Sequence, residues 1–261
     1  MVDQIVAELA QSRRYAFVCP ETLRRVATWA AQRYPPRHAA AAARRKLHQV
    51  YGAFLAPRAA ARVAREVEAL PPNPPTGVLE ETCRRVLALH ASTAERLPLL
   101  EGLYPDLFAS HPPCRVLDLA CGLHPFAIPW MGLGKEVCYL AYDIDTRLTT
   151  AINTFFAHLG IAGQAVSGDL LVSLPNHPAD LVFLLKTLPC LEQQEKGAAL
   201  RLLSALRAPR IVVSFPARTL GGRDVGMREH YAAFMADLAH ALGACTHEVS
   251  RPNETFYVLQ R

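Results

Sequence analysis

What this 261-residue sequence lacks removes whole classes of function. No apolar run approaches the roughly 20 residues a membrane-spanning helix needs. The opening stretch, MVDQIVAELAQSRRY, lacks the basic-then-apolar order of a secretory signal, so the expected compartment is the cytoplasm. The seven cysteines (Cys19, Cys83, Cys114, Cys121, Cys138, Cys190, Cys245) are odd in number and scattered. There is no C-x-x-C and no histidine pair at zinc-finger spacing, so the expectation is neutral thiols and no metal. No internal repeat is visible. Glycine is also scarce where a dinucleotide would need it. Residues 116–130 read VLDLACGLHPFAIPW, with Gly122 as the single glycine. A pyrophosphate needs the close backbone amides of a G-x-G-x-x-G loop, and Pro125 contributes no N–H at all. That argues against NAD or FAD, and hence against a nicotinamide-dependent oxidoreductase.

What is present reads as a globular chain, 51% hydrophobic and 20% charged. Its charge is uneven. Residues 1–70 hold 12 Arg or Lys against 5 Asp or Glu, a balance of +7, and residues 71–261 hold 16 against 18, a balance of −2. The basic pairs Arg13-Arg14 and Arg24-Arg25 and the run Arg44-Arg45-Lys46 fall in the first part. Arginine suits phosphate through its planar fork of donors, so clustered basic helices suit a polyanion, although a solvated helical face explains them equally well. The first part reads as helices: PETLRRVATWAAQRY, HAAAAARRKLHQVYGAFL and RAAARVAREVEAL, with a proline-rich break at 71–75. A further helix is expected over about 78–89. After it, Ser92 and Glu95 have the spacing of a capping box.

Beyond SHPPC the texture changes. The apolar runs RVLDLA, EVCYLAYD, GQAVSGDLL, DLVFLLKTL and RIVVSFP alternate with helical stretches, and ACTHEVS and ETFYVLQR follow as an expected antiparallel edge hairpin. Such alternation predicts a doubly wound, mostly parallel sheet of seven strands. In an open parallel sheet, ligands bind beyond the carboxyl ends of the strands. Polar residues stand at those ends: Asp118 in the first strand, Asp143 closing the second, Asp169 closing the third, and Lys186 after the fourth. Any one such Asp reads more readily as a helix cap; three at successive strand ends favour binding. Asp143 is placed for ribose hydroxyls, and Asp169-Leu170 for an adenine. A nucleoside ligand without phosphates, carrying a carboxylate and an amine, fits a glycine-poor turn. S-adenosylmethionine is such a ligand. Asp118 and the backbone at Ala120 and Gly122 would face its methionine part, and Arg96 would fork onto its carboxylate.

LHASTAERL, VLDLACGLHP, DLVFLLKTLPCLE, SFPARTLGGR with GM…Y, and the N-terminal RRYAFVCPETLRRV and AARRKLHQVYGAF together resemble the aminoglycoside-resistance 16S rRNA methyltransferases. These modify N7 of the decoding-site guanine conventionally numbered 1405. The resemblance spans nearly the whole chain. It implies a Rossmann-like class I methyltransferase domain over 106–261, and a helical N-terminal rRNA-binding region over 1–105. The cofactor contacts it implies are Phe54, His90, Ala91, Ser92, Arg96, Ala120, Asp143, Asp169, Leu170, Leu185 and Gln194. The implied partners are the 30S subunit and helix 44 of its 16S rRNA, with no membrane and no obligate protein partner. The implied outcome is resistance to 4,6-disubstituted aminoglycosides.

Guanine N7 has an in-plane lone pair and no proton, so its methylation needs positioning and no general base. A base flipped from the rRNA needs an apolar or aromatic clamp. Tyr231, Met227 and Phe215 are the candidates for it, with Lys186 as a further base- or phosphate-contacting residue or a partner of Asp169. Arg218 and Arg223, flanking TLGG, join Arg13, Arg14, Arg24, Arg25, Arg44, Arg45 and Lys46 as candidate RNA contacts. The remaining alternatives are an adenine-N1 methyltransferase acting at a neighbouring nucleotide and a non-catalytic RNA-binding protein.

Overall fold

The structure, a computed structural model, describes residues 1–52, 58–108, 111–217 and 226–261. Its strands are β1 (Arg115–Leu119), β2 (Cys138–Asp143), β3 (Ala162–Ser167), β4 (Leu181–Leu185), β5 (Arg210–Pro216), β6 (Cys245–Ser250) and β7 (Glu254–Gln260). Among the described residues these form one seven-stranded sheet in the order β3-β2-β1-β4-β5-β7-β6. Neighbours from β3 to β5 run parallel, and β7 is antiparallel to both β5 and β6. The expected edge hairpin is therefore present, with the last strand inside it. The LVFLL run of β4 is apolar throughout because both its faces are covered. β6, at the edge, carries mostly exposed side chains. The chain runs outward from β1 to β2 and β3 on one side, and from β4 to β5 on the other. The carboxyl ends of β1 and β4 thus flank the switch point where such sheets bind ligands.

Two layers cover the sheet. On one face lie α4 (Ala59–Glu68), α5 (Thr76–Leu87), α7 (Leu100–Phe108) and α8 (Thr146–Leu159), with Val63, Val86, Tyr104, Phe155 and Phe156 in the buried cluster. On the other lie α9 (Leu188–Gln194), α10 (Ala198–Ala205) and α11 (Met227–Leu242), contributing Leu188, Leu202 and Met235. α8 starts where Asp145 accepts from the Arg147 amide at 2.9 Å and stops at Gly160, whose φ of +64° suits only glycine well.

A separate apolar cluster holds α1 (Val2–Ala10), α2 (Pro20–Arg33) and α3 (Pro36–Leu47) together. Pro20 and Pro36 occupy first helical positions, where the missing N–H costs nothing. Leu23, Val26, Ala27 and Ala30 of α2 face Ala39, Ala42, Ala43 and Leu47 of α3, small side chains that let the helices approach closely. The apolar clusters therefore part between Leu47 and Ala60, and helices α4, α5 and α7 belong with the sheet. The division expected at 105/106 falls inside α7.

Candidate active site

The turn after β1 opens with Ala120 at φ +52°, and Lys186 follows β4 at φ +57°. A non-glycine residue in the left-handed region costs of order 1–3 kcal/mol, so two at adjacent strand ends mark a constrained site. Both line a solvent-open cleft at the switch point. Gly122, at φ +53°, takes a left-handed backbone that suits glycine, and the His90 ring lies beside it: a Cβ there would stand 3.6 Å from Nε2, an ordinary contact.

One end of the cleft is a buried ionic network. Arg96 donates from Nε and Nη2 to Glu254 of β7 at 2.8 and 2.7 Å, and both side chains are at most 3% exposed. The Ser214 hydroxyl also bonds Glu254. Lys186 pairs with Glu95 and lies 3.7 Å from Glu254. Asp118 accepts from the Tyr139 hydroxyl and from His124 Nδ1, each at 2.8 Å, and His124 Nε2 meets the Tyr104 hydroxyl at 3.1 Å. Burial, helped by the charges of Arg96 and Lys186, lowers His90 to about 4, so its ring is neutral at physiological pH. His90 Nδ1 bonds the Ser92 hydroxyl at 2.9 Å.

The other end is built from strand-end acids and a helix of the N-terminal cluster. Asp143 accepts the Gly122 amide at 2.8 Å and the Asp145 amide at 2.9 Å, one on each oxygen. Burial nonetheless pushes it up to about 6, against those backbone donors. Asp169 accepts from Thr22 and Arg25 of α2, both at 2.8 Å on Oδ2, and from the Leu171 amide at 2.9 Å on Oδ1. Arg25 also donates to Gln194 Oε1 at 2.9 Å. Beside them Tyr51 donates to the fully buried Asp145 at 2.5 Å, and Arg147 pairs with the same carboxylate at 2.7 Å.

This cleft lies in a chain whose residues 11–258 match the sequence family described as ribosomal RNA methyltransferase (FmrO). The chain belongs to the FmrO ribosomal RNA methyltransferase family. A 16S rRNA (guanine(1405)-N(7))-methyltransferase of Micromonospora rosea is 37% identical over 265 residues, covering 100% of this chain and 97% of that protein. The solved structure of the 16S rRNA methylase RmtB superposes with a TM-score of 0.85 at 29% identity, covering 100% of this chain and 98% of the other. That of the 16S rRNA methyltransferase RmtF in complex with S-adenosyl-L-homocysteine gives 0.84 at 35% identity, with coverage of 100% and 98%.

In this FmrO-family chain the cleft wall includes His90, Ser92, Arg96, Asp118, Ala120, Gly122, Asp143, Asp169, Leu170, Leu185, Lys186 and Gln194. Ala91, exposed between two of them, is not in the wall, and Phe54 lies outside the described residues. Several expectations need correcting. The fork of Arg96 grips Glu254, so the bidentate grip expected on a ligand carboxylate is already taken by the protein. Lys186 pairs with Glu95 and Glu254, not Asp169. Ser92 does not begin a capping box, because His90 occupies the cap position of the short helix α6 (Ala91–Ala94) and Glu95 turns to Lys186. Phe215 is core: it is 1% exposed beneath Tyr231, with ring centroids 4.5 Å apart. Tyr231 is half-buried, and neither it nor Met227 lines the cleft.

The basic candidates also divide. Arg13, Arg14 and Arg45 are exposed, Arg24 pairs with Asp3, and Arg44 pairs with Glu8. Lys46 lies 5.4 Å over the Trp29 ring. Arg25 points inward to the cleft, and Arg218 and Arg223 lie outside the described residues. Glu254 and Arg25 were the functional groups that sequence reasoning missed or misassigned. Of the two, only Arg25 had a signal: it lies one residue from Arg24, a step of about 100° around the helix.

Proposed function

We propose that this chain transfers a methyl group from S-adenosylmethionine to N7 of guanine 1405 in helix 44 of 16S rRNA, within the assembled 30S subunit. The observation that carries this is an open cleft at the switch point, lined by Asp118, Asp143 and Asp169 beside a glycine-poor turn, in a chain that matches relatives of that named activity over its whole length. The donor set suits the cofactor. Asp143 has acceptor capacity left on each oxygen for ribose hydroxyls. Asp169 Oδ2 is filled by two donors, whereas Oδ1 holds one and can take the adenine amino group. His90, Ser92, Gly122 and the Arg96 edge not facing Glu254 surround the methionine end.

When bound, S-adenosylmethionine supplies an electrophilic methyl on a sulfonium. Guanine N7 attacks through its lone pair and releases no proton, so the protein holds the ring in line and removes nothing. Lys186 lines the cleft, held by Glu95 and 3.7 Å from the buried Glu254, where it can contact the base or a phosphate. Met227 and Tyr231, one turn apart at the start of α11, form a candidate clamp for the flipped guanine. Exposed arginines of the N-terminal helical cluster and its loops supply phosphate contacts, in keeping with the +7 balance of residues 1–70. Methylation would remove an acceptor and add a positive charge where cationic 4,6-disubstituted aminoglycosides bind. The test is transfer of labelled methyl to purified 30S subunits, together with gentamicin sensitivity of cells expressing the chain. Incorporation and resistance are expected; an expressing strain as sensitive as its parent would overturn the reading.

A further inference from the structure

We infer that Arg25 is a positioning residue of the cofactor site, by which the N-terminal helical cluster completes the nucleoside end of the cleft. This rests on the cofactor reading above. Arg25 lies in the most basic part of the chain, yet its side chain is only 23% exposed and lines the cleft. It bridges the two polar groups that flank the expected adenine. Nε donates to Asp169 Oδ2 at 2.8 Å and Nη2 to Gln194 Oε1 at 2.9 Å. Gln194 Nε2 in turn donates to the Cys190 carbonyl at 3.0 Å, which fixes the orientation of the amide. The carboxylate of Asp169 is 4% exposed, and a charge so buried is tolerated only when paired and hydrogen-bonded. With Thr22 and Arg25 filling Oδ2, the carboxylate is locked in rotation and Oδ1 is presented to the cleft.

Arg25 is not needed merely to fasten α2 to the sheet. The Cys19 amide donates to the Ile144 carbonyl at 2.8 Å, the Thr146 amide to the Phe17 carbonyl at 2.9 Å, and Tyr51 to Asp145 at 2.5 Å. Val18 also bridges Asp145. These bonds join the same two regions without touching Asp169 or Gln194. What Arg25 adds is confined to the two cleft residues.

The test is calorimetric binding of S-adenosylhomocysteine and S-inosylhomocysteine to the full chain and to Arg25→Ala, followed by steady-state kinetics on 30S subunits. The wild type should prefer the adenosyl compound, because Oδ1 accepts from an amino group that inosine lacks. Arg25→Ala should weaken S-adenosylhomocysteine by about tenfold or more and narrow the adenosyl preference to about twofold. The KM for S-adenosylmethionine should rise with kcat nearly unchanged. Arg25→Lys, which reaches Asp169 without the second fork, should fall between the two. It carries the test if the alanine variant does not fold. Unchanged S-adenosylhomocysteine affinity with weakened 30S binding would overturn the inference and return Arg25 to the RNA surface. Failure of the wild type to bind S-adenosylhomocysteine would instead remove the cofactor reading itself.

Discussion

The two ends of the cleft solve the problem of holding polar ligand groups in different ways. At the end assigned to the methionine part, Arg96 and Lys186 pair with Glu254 and Glu95, Asp118 is hydrogen-bonded by Tyr139 and His124, and the Arg96–Glu254 pair is at most 3% exposed. Nearly all of this comes from the sheet and the segment leading into it. At the nucleoside end, Asp143 and Asp169 stand at strand ends, and the compensating cation arrives from α2, which belongs to a different apolar cluster. The first end is organised by its own domain before any ligand enters. The second is complete only when the helical cluster is docked. On the proposed reading, the self-contained ionic network stands at the end that would hold the sulfonium, where misplacement is most costly.

Breaking the methionine end should have the largest effect. Arg96→Met leaves Glu254 buried without its partner, which should cost about 3–5 kcal/mol of stability. Adding Glu254→Gln should restore much of it. Thermal unfolding measures both, and a single variant that melts like the wild type would contradict a self-neutralising network.

At the nucleoside end the expected effects are on binding. Asp143 titrates near 6, above the ordinary carboxylate value, because burial disfavours its charged form. Its ionisation therefore opposes folding: this group's contribution to stability falls as pH rises from the ordinary value through about 6. Binding has the opposite sense, since the carboxylate is the form that accepts ribose hydroxyls. Affinity for S-adenosylhomocysteine should fall as pH drops from 7.5 to 5.5, by up to about fourfold. His90, at about 4, should add nothing in that window. Asp143→Asn should bind more weakly and lose the pH dependence; a slope that persists would assign it elsewhere.

Tyr231 belongs to neither end. Tyr231→Ala should lower kcat about tenfold while S-adenosylhomocysteine affinity stays at the wild-type value. A change in affinity would place this ring against the cofactor. The smallest effect is expected at the surface. Arg24→Ala breaks an exposed pair with Asp3 and should change stability by less than about 1 kcal/mol, while lowering the salt slope of 30S binding by about one.

Much of this was legible in the sequence. Apolar runs ending in Asp118, Asp143 and Asp169 announced both the parallel sheet and the cleft, because strand period and chain order suffice to locate strand ends. The single glycine at 122 pointed to a ligand without phosphates, because a pyrophosphate needs several close backbone amides. The orientation of Arg25 was not legible, since both members of an Arg-Arg pair look alike until the packing of α2 fixes which face is buried. Nor was Glu254, which reaches Arg96 only because β7 inserts between β5 and β6, a pairing 158 positions apart in the chain. The capping-box spacing at Ser92 and Glu95 was a local signal that a long-range ion pair with Lys186 overrode. Phe215 failed as a clamp because β5 is buried on both faces from Ile211 to Phe215, with Tyr231 of α11 stacked over its ring.

Mapping the modified base decides between N7 and N1 chemistry. Purified protein would be reacted with 30S subunits and S-adenosylmethionine, and the rRNA treated with borohydride and aniline, which cleave at N7-methylguanine. Primer extension should then stop at guanine 1405 only when both protein and cofactor were present. No cleavage there, with a stop instead at a neighbouring adenine before any chemical treatment, would contradict the N7 assignment and mark the chain as an adenine-N1 enzyme.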